Sequence, residues 1–145
     1  DLNAVVRDAV ALHKLEIVER RGRVDVEPLP TVWADHDLLV RAVSNLINNS
    51  IKYATDEPQI SIAARQLDGK VELCITDNGP GIPAQSAISA FEPLVRLNTK
   101  VRADGSGLGL TICKTILQSM GGSIRLDTGY TFGARFIMQL RDGPR

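Results

Sequence analysis

The alternation of apolar and polar positions predicts a long amphipathic helix over residues 35–54. This stretch contains no glycine or proline, and it opens on Asp35, an acidic residue suited to a helix N-terminus. At about 3.6 residues per turn, one side of the helix is apolar and is expected to face the core. The residues on that side are Leu39, Val43, Leu46, Ile47, Ser50 and Ala54.

The opposite side of this helix is rich in asparagine. Asn45, Asn48 and Asn49 lie close together, although asparagine side chains compete for backbone hydrogen bonds and form helices poorly. Asn45 and Asn49 share one side of the helix, with Lys52 nearly one turn further on. Neutral oxygens beside a cation on a rigid helix suit a hydrated metal ion that carries phosphates. An ordinary polar helix face remains the alternative.

Alternating patterns elsewhere predict two β-hairpins with one buried face each. Residues 60–64 and 71–75 alternate on either side of Asp68-Gly69, a strong hairpin signal. Residues 123–128 and 134–140 are expected to form the second hairpin.

The N-terminal part of the chain predicts one amphipathic helix over residues 2–20, followed by a short strand at residues 24–26. Leu12 and His13 fall on the apolar side of that helix, which favours a half-buried packing role for His13 over a reactive one. Trp33 is expected to close the edge of the core.

The segment 77–82 ends the first hairpin in a tight turn of two glycines separated by a proline. Such a turn lets the backbone approach a flat ligand closely. Asp77, at the end of the strand, can accept a hydrogen bond from an exocyclic amine. An ordinary Asx-type turn is the alternative interpretation.

A second glycine-rich segment, residues 105–110, runs directly into a predicted helix that ends at Gly121-Gly122. Glycines that open a helix leave its first backbone N–H groups uncovered, and the helix dipole adds to their attraction for phosphate. The segment lacks the Gly-Lys-Ser/Thr ending of the common P-loop.

The intervening residues, about 83–105, contain few periodic apolar positions, and a connection of this length often forms a lid. The apolar residues that are expected to anchor one end of it are Phe91, Leu94, Val95 and Leu97. Arg96, Lys100 and Arg102 are placed to reach anionic ligand groups, with solvated surface charges as the alternative.

Composition narrows the functional classes. The 145 residues suit a single domain, and 17 basic residues balance 17 acidic ones, so charge favours neither nucleic acid nor direct contact with an anionic membrane. The sequence shows no membrane-spanning apolar run and no signal peptide. Cys74 and Cys113 are expected to be reduced core thiols, which favours a cytoplasmic location.

Four segments, in this order, resemble those of the ATP-binding catalytic domain of bacterial sensor histidine kinases, within the gyrase, chaperone, histidine kinase and mismatch-repair superfamily. Residues 45–53 resemble the N box, 77–82 the first glycine box, 91–94 the F box and 105–110 the second glycine box. The resemblance implies one domain over residues 1–145. It also implies an α/β two-layer sandwich, with a mixed, largely antiparallel sheet and helices on one face.

The resemblance further implies ATP, its product ADP and Mg²⁺ as cofactors. Asn49 would bind the metal with help from Asn45, and Lys52 would contact phosphate. Arg96 or Lys100 would help to steady the transferring group.

Other residues would bind the adenine base in the implied site. Tyr53 would lie near the base or ribose, and Asp77 would hold the adenine amino group. The remaining implied nucleotide-binding residues are Gly79, Gly81, Ile82, Gly105, Ser106, Gly107, Leu108, Gly109 and Leu110.

Two positions depart from the family pattern. Ala134 stands near the end of the last glycine segment, where the family usually has Ser or Thr, and this puts a contact near the adenine in doubt. Leu94 stands where the F box often has a second Phe, which affects how the lid packs.

These features favour transfer of phosphate to a histidine of a separate phosphoacceptor domain, with a response regulator downstream. In the family's acceptor segment the His is followed by an acidic residue, a basic residue and a Pro. His13 is followed by Lys-Leu-Glu and His36 by Asp-Leu-Leu, so neither fits, and the acceptor helices are expected before residue 1. A self-contained ATPase would need a Glu where Asn45 stands, because an amide cannot act as a general base. Related serine kinases usually keep that Glu and lack the pair at Lys52 and Tyr53. A nucleotide-binding regulatory module without activity is the remaining alternative.

Overall fold

Five strands form one mixed sheet in the computed structural model, which describes residues 1–92 and 109–144. The strands in these ranges are β1 (Arg23–Val26), β2 (Gln59–Leu67), β3 (Lys70–Asp77), β4 (Ser123–Leu126) and β5 (Arg135–Arg141). The helices are α1 (Leu2–Ala11), α2 (Lys14–Glu19), α3 (His36–Tyr53) and α4 (Gly109–Ser119).

The sheet has the strand order β1-β2-β3-β5-β4. Only the outer pair β1–β2 is parallel, and the other three neighbouring pairs are antiparallel. Both predicted hairpin pairings are confirmed. The first turns at Gly69, whose φ of 71° is the left-handed conformation that a tight two-residue turn requires.

Alternation along the strands separates the two faces of the sheet. One face packs against buried residues of α1, α3 and α4 in a continuous apolar core. The strand residues that belong to this core include Ile60, Ile62, Val71, Leu73, Ile75, Phe136, Met138 and Leu140. The predicted two-layer α/β sandwich is therefore confirmed.

The other face of the sheet carries a buried charge. Glu72 is only 4% exposed and accepts hydrogen bonds from Arg65 on β2 and from Arg125 on β4. The hydrogen bond from Arg65 and the added bond from Arg125 hold the pKa of the Glu72 carboxyl below its ordinary value, against the opposing effect of burial. This cluster joins three strands that are not all neighbours in sequence.

Helix α3 is fixed at both ends by side chains. The Asp35 carboxylate accepts the Leu38 N–H at 2.9 Å, so Asp35 is the N-cap that the sequence predicts. At the other end, the Arg20 guanidinium donates to the carbonyls of Ile51 at 2.8 Å and Ala54 at 3.0 Å. These carbonyls lack helical partners, so Arg20 stabilises the turn that carries Lys52.

The prediction of one helix over residues 2–20 is wrong. Helix α1 ends at Ala11, and His13 has φ −115° and ψ 12°, outside the helical range, before α2 begins. The break turns the His13 ring toward α3, where its Nε2 lies 2.7 Å from Ser44 Oγ. His13 is therefore the half-buried packing residue expected, whereas Leu12, expected in the apolar stripe, is exposed.

Trp33 does not close the core, because its side chain is 55% exposed. Its backbone is bound to the end of β5 instead, since the Trp33 N–H donates to the Arg141 carbonyl at 2.8 Å. Among the helices of residues 1–92 and 109–144, none combines the length and the apolar character needed to cross a membrane.

Candidate nucleotide-binding site

The asparagine-rich side of α3 faces the beginning of α4. The Asn45 Nδ2 lies 3.5 Å from the Gly109 carbonyl oxygen. A Cβ placed on Gly109 would lie 3.8 Å from the Asn49 Oδ1. Asn45, Asn49 and Lys52 are all half-buried. The structure thus brings two predicted metal- and phosphate-site residues to the end of the second glycine segment.

Helix α4 begins at Gly109, the last glycine of that segment. Its first-turn N–H groups have no partner within the helix, so this end attracts anions. Leu110 is half-buried and packs against the core. The other predicted residues of the segment, Gly105, Ser106, Gly107 and Leu108, lie outside the described residues, as do Arg96, Lys100 and Leu94.

Asp77 lies at the end of β3 with its carboxylate held by three hydrogen bonds. Its Oδ1 accepts the N–H of Gly79 at 2.9 Å and the N–H of Ala134 at 3.0 Å. Its Oδ2 accepts the Ser50 hydroxyl at 2.8 Å. Asp77 is 9% exposed, so this carboxylate has one fixed orientation at the edge of the core.

The Asx-type turn considered from the sequence is present, because the Gly79 N–H binds the Asp77 side chain two residues earlier. Asn78 fastens the same turn to the start of β2. Its Oδ1 accepts the Gln59 N–H at 2.9 Å, and its Nδ2 donates to the Glu57 carbonyl at 3.1 Å. The Asx-type turn is therefore confirmed, and the contact of Asp77 with an exocyclic amine stays a prediction.

Two glycines let backbone segments meet behind Asp77. Gly81 has φ 79°, and a Cβ there would lie 2.8 Å from the Gly133 carbonyl oxygen. A Cβ on Gly133, which has φ 153°, would lie 1.9 Å from the Asp77 carbonyl oxygen. The close approach expected at the first glycine box is therefore made, at Gly81, with the chain's own backbone.

The other residues predicted for the base lie beside this turn. Tyr53 ends α3, and its carbonyl oxygen would lie 3.7 Å from a Cβ on Gly79. Ile82 is half-buried and packs against the core. Ala134 has no hydroxyl to offer, yet its backbone N–H binds Asp77 and its carbonyl accepts the Asp77 N–H at 2.9 Å.

The described part of the predicted lid, residues 83–92, contains two short helical turns. Residues Ala84–Ser86 and Ser89–Phe91 each form a single turn of 3-10 helix. Phe91 is buried, as expected for an anchor, and its ring stacks edge-on against Phe136 with 6.0 Å between centroids. The Phe91 carbonyl accepts the Thr111 hydroxyl at 3.2 Å, which ties this segment to α4. Residues 93–105 of the predicted lid lie outside the described residues.

Both cysteines are free thiols. Cys113 is fully buried between α4 and α3, and its Sγ lies 3.2 Å from the Ala42 carbonyl oxygen. Burial raises the pKa of this thiol to about 12. Cys113 thus remains protonated at neutral pH, in agreement with its predicted role as a core thiol.

Two residues of this region were not predicted from the sequence as part of the site. The helical period places Ser50 on the apolar side of α3, although its hydroxyl is the one polar group in that stripe. Arg20 was assigned only to the end of a helix, and its bonds to the C-terminus of α3 have no local sequence pattern.

Comparison with known proteins shows the family of this chain. Residues 34–144 match the family model described as histidine kinase-, DNA gyrase B- and HSP90-like ATPase. Over 113 residues the chain is 39% identical to the adaptive-response sensory kinase SasA of Synechocystis sp., a match that covers 77% of this chain and 30% of that protein.

Solved structures give the same result. The mycobacterial sensor histidine kinase MprB superposes with a TM-score of 0.81 at 30% identity, covering 100% of this chain and 98% of that one. Full-length ShkA, solved in complex with AMPPNP, superposes with a TM-score of 0.81 at 25% identity, covering 100% of this chain and 31% of that one. The chain spans less than two fifths of the length of SasA. The chain belongs to the family of histidine kinase-, DNA gyrase B- and HSP90-like ATPases, and the relatives that it resembles are sensor histidine kinases.

Proposed function

We propose that this domain binds Mg-ATP and transfers the γ-phosphoryl group to a histidine on separate phosphoacceptor helices of its parent protein, with a response regulator as the next acceptor. The observation that carries the proposal is the meeting of α3 and α4. Asn45 and Asn49 face Gly109, where the backbone N–H groups of a helix begin. Amide oxygens and uncovered N–H groups around one point suit a nucleotide phosphate chain with its metal.

The residues fit a magnesium ion held largely by phosphates. In residues 1–92 and 109–144, no group of three or more His, Cys, Asp or Glu side chains could hold a metal by itself. Mg²⁺ bound to a nucleotide commonly has one or two protein ligands, with phosphates and waters completing its shell. Asn49 would provide that ligand with Asn45 beside it, and the ion would neutralise charge on the phosphates.

The protein's part in the reaction is positioning. Phosphoryl transfer requires alignment and charge stabilisation more than covalent chemistry by the enzyme. Asp77 would hold the adenine amino group and Lys52 a phosphate, with Tyr53 beside the base. Arg96 or Lys100 would steady the transferring group. These anchors would leave the γ-phosphate free to meet an acceptor from outside the domain.

Transfer to a protein fits the chain better than hydrolysis. Asn45 occupies the position where an ATPase of this superfamily would carry its catalytic Glu, and an amide does not accept a proton from water. General-base catalysis contributes about 10²–10⁴-fold, so hydrolysis without it is slow.

The test is a phosphotransfer assay with γ-labelled ATP. The chain alone should label neither of its own histidines, whereas addition of its parent's acceptor helices should give a labelled product. Phosphohistidine has a P–N bond that acid cleaves and alkali spares. Label that survives warm acid would contradict the proposal and favour the serine-kinase alternative.

Substitution of Asn49 tests the metal ligand separately. Asn49→Ala should greatly weaken Mg²⁺-dependent ATP binding measured by calorimetry, with the fold intact because the side chain lies on the polar side of α3. Asn48→Ala is the matched control, since Asn48 is half-buried on the same helix. Equal affinity in the two variants would remove Asn49 from the metal site.

A further inference from the structure

The buried hydroxyl of Ser50 lies in an unusual place for a helical serine. Ser50 is 3% exposed and points from α3 into the core. A serine inside a helix commonly bonds to the carbonyl four residues earlier. Here its hydroxyl donates instead to Asp77 Oδ2 at 2.8 Å, across 27 residues of sequence. The bond therefore joins α3 to the end of β3.

Three hydrogen bonds from described residues occupy acceptor positions of the Asp77 carboxylate. A carboxylate offers about two acceptor positions on each oxygen. Oδ1 already accepts the N–H groups of Gly79 and Ala134, and Oδ2 accepts the Ser50 hydroxyl. Among the described residues, the remaining position is thus on Oδ2, beside Ser50.

We infer that Ser50 is a positioning residue that sets the nucleobase specificity of the site. This inference rests on the proposed role of Asp77 in holding the adenine amino group. The Ser50 hydroxyl fixes the rotation of the carboxylate, so that the open position of Oδ2 meets an amine donor. Guanine has a carbonyl oxygen at that point. Two acceptors, this oxygen and Asp77 Oδ2, would then face each other, so guanine is rejected.

The position of Ser50 in α3 links base recognition to the phosphates. Ser50 directly follows Asn49, the proposed metal ligand, on the same helical turn. One rigid turn therefore fixes Asp77 at the base and carries an amide toward the start of α4. A shift of this turn would change both ends of the nucleotide site together.

The experiment compares ADP and GDP affinities, measured by calorimetry with Mg²⁺, for the unaltered chain and Ser50→Ala. Loss of one hydrogen bond to a charged group corresponds to about a tenfold change in affinity. The preference for ADP over GDP should fall by about tenfold in Ser50→Ala. A thermal melt checks that the variant is folded. If Ser50→Ala does not fold, Ser50→Cys keeps the size of the side chain with a much weaker donor and should show the same fall.

Ser50→Thr is the matched control because it retains the hydroxyl, and it should keep the preference within about twofold. An unchanged ADP preference in folded Ser50→Ala or Ser50→Cys would overturn the inference. So would an equal loss in Ser50→Thr, because a packing defect would then explain the effect. If the unaltered chain binds no ADP, the proposed function fails as well, whereas binding with an unchanged ratio rejects only the role of Ser50.

Discussion

Substitution of Gly133 by alanine should destabilise the protein more than any ordinary surface change. A Cβ on Gly133 would lie 1.9 Å from the Asp77 carbonyl oxygen, whereas ordinary contacts begin at 3.4 Å. The two backbone segments must therefore separate by at least about 1 Å. Overpacking of this kind costs about 1–3 kcal/mol. The left-handed φ of 153° adds strain for a side chain, at about 1–3 kcal/mol.

Together these effects should lower the free energy of unfolding by about 4 kcal/mol, which corresponds to a fall of roughly 10 °C in melting temperature. Gly143→Ala is the control, because a Cβ there has nothing within 4 Å. Differential scanning calorimetry measures both variants. The separation would also pull the Ala134 N–H away from Asp77 Oδ1, so ADP affinity should fall as well. Equal melting temperatures for the two variants would refute this reasoning.

Two further predictions concern charge and protonation. Glu72→Gln should lower the free energy of unfolding by about 1 kcal/mol at pH 7, since its arginine partners are largely exposed, whereas Asp25→Asn in an exposed pair should change it little. Because the pKa of Glu72 is lowered by folding, this stabilisation is present above the unfolded-state pKa of about 4.3 and is lost as the pH falls through the folded-state pKa. Denaturant titrations from pH 7 to pH 3 should therefore show the stability of the unaltered chain converging on that of Glu72→Gln. A constant difference between the two proteins over this range would contradict the stabilising role of the Glu72 carboxylate. Cys113, whose pKa is raised to about 12, should react with a thiol reagent only after unfolding. Mass spectrometry that locates rapid labelling at Cys113 in the folded protein would contradict its burial.

Local patterns predicted most of the fold because they report burial directly. The amphipathic stripe of α3 and the alternation of β2, β3 and β5 place side chains on one side of an element, and core packing follows from that. The sequence did not reveal the break at Leu12 and His13, where the His13 ring contacts Ser44, 31 residues away. Propensity alone continues the helix through these positions.

The residues of the candidate site also differ in whether the sequence alone could reveal them. Asn45, Asn49 and Asp77 stood out because their types are unusual for their positions, and the structure places the two asparagines beside Gly109. Ser50 was hidden within an apolar stripe, since only the fold brings its hydroxyl to Asp77. Pairings between distant segments of this kind are not encoded in any local period.

The most direct test of the central claim is a thermal-shift titration of the chain with ATP, in the presence and absence of Mg²⁺. A ligand that binds only the folded state at about 100 times its Kd stabilises that state by about 2.7 kcal/mol. The melting temperature should then rise by roughly 5–10 °C with Mg-ATP. The rise should be smaller with ATP alone and smaller again with Mg-GTP. A melting temperature that does not change at saturating Mg-ATP would contradict the account.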